Sequence, residues 1–526
     1  MESGRLLALT IENFKSIYEK TRVEFGQLTV FLGKNNSGKS TITQVLLLLK
    51  QTLELARVET VLNIDGYVSA INLRELISGW PETEGNVKGP YFSIEWSSQV
   101  DIDKALEISG KPDLATLMDK ASLPWLADEI GKNKELCCKL DLQYCEFNGK
   151  IVLDKVSLIS SLTPNFTDQN SICARFEIDR NEEGRYQCHW DGVVYKKIDV
   201  DLHHFIPSIS IDRRNIGPRN RQRSLANAFN ILFSQPLDSL DSMLRGFSYL
   251  SSIRGLPLSI YSPSSSSGED IGISGEFAAQ LLYTHKEEPV HYLFPNFDDI
   301  NISFSPKEKK LAVAINEILL GLGIDTPLSI HEIEKVGFRL MFGKATFSHV
   351  GRGLTYLLPI VQLGLFSDPM RFKHGVNILE SVQNRLCAFE EPESHLHPKV
   401  QSRLSTWFVS LARANRQVIV ETHSDHMVRR LRKLLAQSKP GSEIEGWLST
   451  NIRIVSVNQI DGKTLIESGL IKKDGSVEVW PTDFMDAAVN AEQEIYYAAL
   501  DKEDDISETV ESNIEHANGD EPDDFN

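Results

Sequence analysis

The stretch that decides the fold is "FLGKNNSGKSTITQVLLLL", from Phe31 to Leu49. It contains the pattern G-x-x-x-x-G-K-[ST] of a phosphate-binding loop, or P-loop, and a long apolar run follows that loop. The apolar segment "LTVFLG" predicts a strand before the loop, and this motif requires a strand before it and a helix after it. Backbone N–H groups of such a loop point at the phosphates of a nucleotide. The stretch therefore predicts a nucleotide-binding site.

We predict that this loop binds ATP together with a Mg²⁺ ion. Lys39 supplies a positive charge for the γ-phosphate, and the hydroxyl of Ser40 is a ligand for Mg²⁺. The predicted nucleotide-binding residues are Gly33, Lys34, Asn35, Asn36, Ser37, Gly38, Lys39, Ser40 and Thr41.

A P-loop acts with an acidic residue at the end of a neighbouring strand, and "RLCAFEEPESHLHP" supplies a candidate. Leu386 to Phe389 reads as an apolar strand, with Glu390 and Glu391 at its carboxyl end. Consecutive strand residues point in opposite directions, so the two carboxylates can have different roles. We predict that Glu390 binds Mg²⁺ and that Glu391 is the catalytic residue that polarises the attacking water.

The charge of the chain is negative overall but unevenly distributed. The formal net charge is −18, and residues 501–526 contain eleven Asp or Glu and one Lys. This acidic tail is predicted to be disordered, because it has few apolar residues. Five arginines lie between Arg213 and Arg223, and two interpretations stay open for them. They form either a nucleic-acid contact or, in the second interpretation, a solvated surface loop or a patch that docks a partner protein.

Composition also bears on the compartment. No apolar stretch is long enough to cross a membrane, so we expect no membrane contact. The six cysteines are scattered without a C-x-x-C pair, which argues against a zinc site and a disulfide framework. We therefore expect a cytoplasmic protein.

The order of the predicted elements favours an α/β fold, namely a P-loop ATPase head with an antiparallel β subdomain and a helical insertion. A chain of 526 residues is long enough for several such units. The predicted division is an N-terminal part of the head with the P-loop (1–90), a mostly β subdomain with a helical interlude (91–206), a mainly helical insertion (207–345), the C-terminal part of the head (346–500) and the acidic tail (501–526).

Around the acidic pair, "FEEPESHLHP" resembles the E-E-P-E-x-x-L-H-P stretch of OLD-like AAA ATPases. These ATPases belong to the superfamily of ABC-type heads, which includes SMC-like and RecF-like branches. Such heads tolerate long insertions between the P-loop and the acidic pair, which agrees with the long separation of Lys39 and Glu390 in this chain. "VIVETHSDHMV" resembles the switch strand of the same proteins. The resemblance implies that His423 lies near the γ-phosphate as a second catalytic residue.

Another stretch, "SHVGRGLTYLLPIV", resembles the signature segment of these heads. The resemblance implies a homodimer or a larger even homo-oligomer, in which this segment contacts the nucleotide of the opposite subunit. Tyr356 stands where glutamine is common in the family. The residues implied to act in this way are Gly351, Arg352, Gly353 and Thr355.

Two further stretches resemble the same ATPases. "YLSSIRGLP" is similar to their R-x-x-P segment, and Arg254 in it either reaches a phosphate or ties two lobes together, the second being favoured. "DGSVEVWPTDFMDAAV" resembles the W-P-x-x-F-x-D segment of Septu-type and retron-associated ATPases from antiviral defence operons.

The OLD nucleases carry a metal-dependent Toprim domain behind the ATPase. Such a domain needs on the order of 100 residues and several spaced carboxylates, and we expect the segment after His423 to be too short for one. We therefore expect an ATPase without nuclease activity of its own, which senses or regulates for a separate effector such as a nuclease in bacterial antiphage defence. The alternative is a RecF-like DNA-maintenance ATPase that clamps DNA, and a metabolic or transport ATPase is favoured least.

Overall fold

The fold was analysed in a computed structural model. It describes residues 4–55, 60–80, 87–101, 135–164, 166, 173–190, 193–194, 198–211, 228–263, 270–297, 302–368, 385–480, 494 and 496–497. The chain divides into two units, Met1–Val479 and Trp480–Asn526. In the second unit the rings of Tyr496 and Tyr497 meet edge to face, with centroids 5.9 Å apart. All other elements below belong to the first unit.

The described strands of the first unit, in chain order, are β1 (Leu6–Glu12), β2 (Thr21–Glu24), β3 (Leu28–Leu32), β4 (Lys88–Gln99), β5 (Glu135–Phe147), β6 (Lys150–Ser161), β7 (Cys173–Arg180), β8 (Tyr186–Trp190), β9 (Val193–Val194), β10 (Ile198–Asp201), β11 (Ser208–Ile211), β12 (Ser248–Leu250), β13 (Pro289–Pro295), β14 (Phe304–Lys310), β15 (Leu328–Ile333), β16 (Gly337–Phe342), β17 (Ala345–Thr346), β18 (Arg385–Glu390), β19 (Arg416–Thr422), β20 (Ile452–Ile460) and β21 (Lys463–Leu470).

The described α-helices are α1 (Lys39–Glu54), α2 (Gln235–Arg245), α3 (Ala278–His285), α4 (Leu311–Leu322), α5 (Arg352–Phe366), α6 (Pro398–Arg413), α7 (Asp425–Ala436) and α8 (Glu443–Asn451). Short 3₁₀ helices span Leu73–Leu76 and Phe347–His349, and a π-helical turn spans Asn230–Ser234.

The predicted nucleotide site belongs to a six-stranded sheet with the order β12-β18-β19-β3-β20-β21. The first five strands run parallel, and β21 is antiparallel to β20. Every residue of β3 and of β19 is buried. Parallel strands are covered on both faces, which explains why the middle of β18 and of β19 is apolar without alternation. The carboxyl ends of β18, β19 and β3 meet at one edge of this sheet.

A second sheet is antiparallel and has eight strands in the order β2-β1-β4-β5-β6-β7-β8-β9. Its strand β5 alternates between buried and half-buried residues along nearly its whole length, as expected of a sheet with one covered face. The first two strands of the chain belong to this sheet, because β1 pairs with both β2 and β4. The N-terminal segment therefore contributes to both sheets.

Helix α1 joins the two sheets through the core. Thirteen of its sixteen residues are buried, on all sides of the helix. One continuous cluster of buried apolar side chains includes Leu46 of α1, Trp96 of the antiparallel sheet and Ile419 of the parallel sheet. A helix that is apolar all round lies inside a core and not on a surface.

Gln417 makes the polar connection between the sheets. Its side-chain nitrogen donates to the carbonyl of Leu6 at 2.7 Å and to that of Gly26 at 2.9 Å. Its side-chain oxygen accepts from the backbone N–H of Leu6 at 2.9 Å. One buried amide on β19 thus satisfies three backbone groups at the start of β1 and before β3.

The expectation that residues 207–345 are mainly helical is wrong. The described residues of this region hold three α-helices, but also the strands from β11 to β17. The residues of β16, Gly337–Phe342, alternate between half-buried and buried positions, which is the period of a strand and not of a helix. Residues 212–227, 264–269 and 298–301 of this region lie outside the described part of the chain.

The predicted fold class is confirmed, because a P-loop strand and helix are found in an α/β sheet next to an antiparallel β sheet. The finer division into five segments stays a prediction. The helical interlude within 91–206, the arginines from Arg213 to Arg223 and the acidic tail lie outside the described residues. Within the described ranges, no helix is both long and apolar enough to cross a bilayer.

We predict that Gln417→Leu lowers the free energy of unfolding by about 3 kcal/mol. Three buried backbone groups lose their partner, at about 1 kcal/mol or more each. Gln459→Leu is the matched control, because Gln459 is exposed on β20 and its replacement should change stability by less than about 0.5 kcal/mol. Urea unfolding followed by tryptophan fluorescence measures both variants, and equal effects would contradict the role given to Gln417.

Candidate nucleotide-binding site

The P-loop connects the end of β3 to the start of α1. Gly38, directly before the helix, has a φ of 98°, a left-handed conformation that favours glycine. Gly33 passes so close to β20 that an added Cβ atom would lie 2.1 Å from the carbonyl oxygen of Val457. No side chain caps the N-terminus of α1, so the N–H groups of its first turn face the cleft in front of the loop. Two glycines with different constraints therefore shape the loop.

The side chain of Lys39 lies within the loop itself. Its Nζ donates to the carbonyl oxygens of Gly33, at 3.0 Å, and of Lys34, at 2.8 Å. Burial lowers the pKa of Lys39, and the nearby carboxylates, Glu421 first, oppose that shift. The ammonium group is therefore held at the loop by carbonyl groups, at the point where phosphate charge is predicted to bind.

A cleft with a volume of about 260 Å³ opens in front of the loop. The predicted P-loop residues Asn35 to Thr41 line it, together with both predicted carboxylates and His423. The structure thus brings together residues that are far apart in the sequence. Three further lining residues were not predicted from the sequence, namely Gln44, Ser252 and Glu421.

Glu390 is the last residue of β18 and is nearly buried. One of its carboxylate oxygens accepts from the backbone N–H of Ser252 at 3.1 Å. Burial, and next the nearby charge of Glu390, raise the pKa of the Tyr249 phenol. Arg254 donates to the backbone carbonyl of Glu390 at 2.9 Å. The segment that follows β12 therefore holds Glu390 from two sides.

Arg254 is itself buried, with only 5% of its surface exposed. Burial lowers its pKa to about 10, and the charge of Glu390 opposes this. Its Nε and Nη1 atoms are buried without a hydrogen-bond partner in the described structure. Arg254 was predicted either to reach a phosphate or to connect two lobes. Its contact with Glu390 agrees with the second role, a connection between two segments of the same chain.

Glu391 lies beyond the strand, in a left-handed conformation with a φ of 41°. Its backbone N–H donates to the carbonyl of Glu421 at 2.8 Å. The prediction that Glu390 and Glu391 alternate in direction along one strand is wrong, because β18 ends at Glu390. The turn at Glu391 separates the two side chains instead, at a cost of about 1–3 kcal/mol for such a backbone.

His423 follows the end of β19 and lies beside Glu391, with 3.7 Å between Nε2 and the nearer carboxylate oxygen. Its backbone N–H donates to the buried carboxyl of Glu393 at 2.7 Å. Burial lowers the pKa of His423, as does the positive charge of Lys39, so the neutral imidazole is favoured at neutral pH. A neutral imidazole can donate one hydrogen bond toward a phosphate or a water.

Glu421 is the charged residue that the sequence reading missed. It lies in β19, all of whose residues are buried, and only 3% of the surface of Glu421 is exposed. Burial, and next the charge of Glu390, raise the pKa of Glu421, and the hydrogen bonds from Thr43 and Ser40 oppose this shift. The sequence does contain a signal for Glu421, namely a charged residue in an apolar strand, two positions before His423. Positions two apart on a strand share a face, so Glu421 is expected on the same side as His423.

The residues present fit a Mg²⁺ ion. The Ser40 hydroxyl and the carboxylates of Glu390 and Glu421 are oxygen donors, the type that Mg²⁺ prefers, and all three line the cleft. Sites of this class complete their ligand set with waters and substrate phosphates. In the described parts of the chain, no three His, Cys, Asp or Glu side chains converge as an all-protein metal site.

The predicted signature residues lie at the N-terminus of α5, and none of them lines this cleft. Gly351 and Arg352 are exposed, whereas Thr355 is buried and donates from its hydroxyl to the Arg352 carbonyl at 2.9 Å. Gly353 packs on the loop after β18, since an added Cβ would lie 2.5 Å from the carbonyl oxygen of His395. The structure therefore does not place the signature segment at the nucleotide site of its own chain.

Comparison with known proteins agrees with this geometry. The family described as AAA ATPase domain matches residues 5–181 and 373–428, which include the P-loop, the acidic pair and His423. These two segments are therefore similar to an AAA ATPase domain. No curated protein matches the chain.

Among solved structures, the chain is similar to an Smc head bound to the C-terminal winged-helix domain of ScpA, with 14% identity and a TM-score of 0.39 over 89% of this chain and 98% of that one. It is also similar to an Smc head with an extended coiled coil bound to the C-terminal domain of ScpA, derived from Pyrococcus furiosus. That match has 12% identity and a TM-score of 0.38, over 94% of this chain and 100% of that one. A third similar structure is the SMC head domain from Thermotoga maritima. That match has 10% identity and a TM-score of 0.32, over 88% of this chain and 98% of that one.

Two glycines of the signature segment should differ in their tolerance of a methyl group. Gly353→Ala should lower the free energy of unfolding by about 1–3 kcal/mol, because the new Cβ overlaps the His395 carbonyl. Gly351→Ala should change it by less than about 0.5 kcal/mol, because no atom lies within 4 Å of the new Cβ. Urea unfolding of both variants tests this difference, and a stable Gly353→Ala protein would show that α5 packs differently.

Proposed function

We propose that this protein binds and hydrolyses ATP with Mg²⁺ and thereby regulates a separate effector, such as a nuclease, in a bacterial antiphage defence system. The observation that carries the ATPase part is the single cleft in which the P-loop, Glu390, Glu391 and His423 meet. The AAA ATPase match supports the same conclusion. The defence part rests on the resemblance of the sequence to Septu-type and retron-associated ATPases.

In this proposal the phosphates bind to the N–H groups of the loop and of the first turn of α1. Lys39 turns from the carbonyls of Gly33 and Lys34 to the β- and γ-phosphates, whose charge is the stronger partner. Ser40 and Glu390 hold Mg²⁺, which when bound neutralises phosphate charge. Lys39, Ser40 and Glu390 all line the cleft.

Glu391 then orients and polarises the water that attacks the γ-phosphate. Its carboxylate lies beside His423, so an attacking water between them can be held by an acceptor and a donor at once. The left-handed backbone at Glu391 fixes the direction of this side chain away from the strand. His423 stays neutral and donates to the water or to the γ-phosphate.

The signature segment completes the site of a second copy in this proposal. Gly351 and Arg352 are exposed at the N-terminus of a fifteen-residue helix, which suits contact with phosphate of another subunit. A two-fold dimer would use the same surface twice and enclose two nucleotides. We propose a homodimer or a larger even assembly in the cytoplasm.

Lys39→Ala should abolish ATP binding, because the phosphate charge then loses its main protein cation. Glu391→Gln should bind ATP normally but hydrolyse it at least about 100-fold more slowly, since the amide cannot act as a base. A fluorescent ATP derivative measures binding, and phosphate release measures turnover. Parental turnover in Glu391→Gln would assign the catalytic carboxylate elsewhere.

The same Glu391→Gln protein should accumulate as an ATP-bound dimer or larger even assembly in analytical ultracentrifugation. Lys39→Ala is the matched control, because it should form no such ATP-dependent species. A strictly monomeric Glu391→Gln protein with ATP at micromolar concentration would contradict the dimer.

The purified chain alone should cleave neither DNA nor RNA with Mg²⁺ or Mn²⁺, and toxic activity should require the product of an adjacent gene. Phage plaque assays on cells that carry the operon test this role. Protection should be lost in the Lys39→Ala operon and in the operon without the neighbouring gene. Full protection by Lys39→Ala would contradict regulation by ATP, and nuclease activity that a point change in this chain abolishes would contradict a separate effector.

A further inference from the structure

Glu421 contacts the P-loop helix through both of its carboxylate oxygens. Oε2 accepts a hydrogen bond from the Ser40 hydroxyl at 2.8 Å, and Oε1 accepts one from the Thr43 hydroxyl. Ser40 and Thr43 are three residues apart on α1 and therefore lie on one face of the helix. A carboxylate on β19 thus fixes two hydroxyls in the first turn of α1, and one of them belongs to the predicted Mg²⁺ ligand.

Glu421 also lies next to Glu390. The two residues are directly paired in the register of the parallel strands β18 and β19, so their side chains leave the sheet on the same face. Yet their partners differ. Glu390 interacts with the Ser252 N–H and the Tyr249 phenol, whereas the Ser40 hydroxyl donates to Glu421.

A serine that ligates a cation must turn an oxygen lone pair to the ion and its hydrogen away from it. The acceptor of that hydrogen therefore decides the orientation of the ligand, and a carboxylate acceptor also raises the electron density on the serine oxygen. In this structure that acceptor is Glu421.

We propose that Glu421 is a positioning residue of the nucleotide site, which orients the Ser40 hydroxyl as a Mg²⁺ ligand. This inference rests on the proposed Mg²⁺–ATP binding and adds a third carboxylate to the two predicted from the sequence. Glu390 remains the carboxylate that faces the ion, and Glu421 acts through Ser40. Its effect is therefore specific to binding that involves the cation.

The test measures binding of a fluorescent ATP derivative to the full chain, first in EDTA and then at increasing Mg²⁺ concentrations. Glu421→Gln keeps the shape of the side chain but removes its charge. Its Mg²⁺-free affinity should stay within about twofold of the parent, and the Mg²⁺ concentration for half-maximal tightening should rise about 10–100-fold. Electron paramagnetic resonance of Mn²⁺ gives a direct second readout of cation binding.

Two further variants test whether the position of the Glu421 carboxylate matters and whether the effect is specific to this carboxylate. Glu421→Asp keeps the charge but withdraws the carboxylate from Ser40, so its Mg²⁺ requirement should also rise. Glu393→Gln is the matched control, because this buried carboxyl bonds to Thr422 and to the His423 N–H and not to Ser40. Its Mg²⁺ requirement should change less than about twofold.

A double-mutant cycle gives the decisive outcome. In a Ser40→Ala background, Glu421→Gln should raise the Mg²⁺ requirement no further, because both changes remove one and the same contact. The proposal would be overturned if Glu421→Gln raised the Mg²⁺ requirement equally in the parent and in the Ser40→Ala background. It would also be overturned if Glu421→Gln weakened ATP binding equally with and without Mg²⁺, or if Glu421→Asp had the Mg²⁺ requirement of the parent. A parent protein that does not bind the ATP derivative would instead contradict the proposed ATPase function.

Discussion

The burial of helix α1 is the constraint on which the rest of the structure depends. Thirteen of its sixteen residues are buried in a core that includes side chains of both sheets, and this burial fixes its N-terminus at the carboxyl edge of β3. The P-loop is the short connection between these two fixed ends. Its glycines are required because Gly33 lies against β20 and Gly38 adopts a left-handed backbone. A rigid core thereby orients a row of N–H groups, which is the preorganisation that phosphate binding needs.

The same edge of the sheet carries an unusual concentration of buried charge. Glu390 and Glu421 leave adjacent strands side by side, and Lys39 lies in the loop opposite them. Burying ionised groups costs free energy unless partners compensate them, and here hydroxyls, backbone N–H groups and one ammonium do so in part. A site of this kind gains most from a ligand that brings both cation and phosphate charge.

Contacts within one chain also connect the cleft to the proposed dimer surface. Arg254 donates to the carbonyl of Glu390 at the end of β18. The ring of Tyr356 in turn meets that of His395 edge to face, with centroids 5.3 Å apart, beside the packed Gly353. The aromatic ring of Tyr356 makes this packing possible. Helix α5 and the end of β18 therefore form one packed unit.

The sequence by itself determined the P-loop, the apolar strand before the acidic pair and the α/β class of the fold. These features are local, since each depends on a short pattern of residue types and on the period of the element that carries it. Residues 207–345 were predicted less well, because most of their strands form short hairpins between helices, namely β13 with β14 and β15 with β16 and β17. A short strand carries too few residues for its period to be told from that of a helix. Only the tertiary structure decided that Glu390 and Glu421 are neighbours, that Ser40 donates to Glu421 and that Gln417 joins the two sheets. Strand order, register and burial set these pairings, and they depend on contacts between segments hundreds of residues apart.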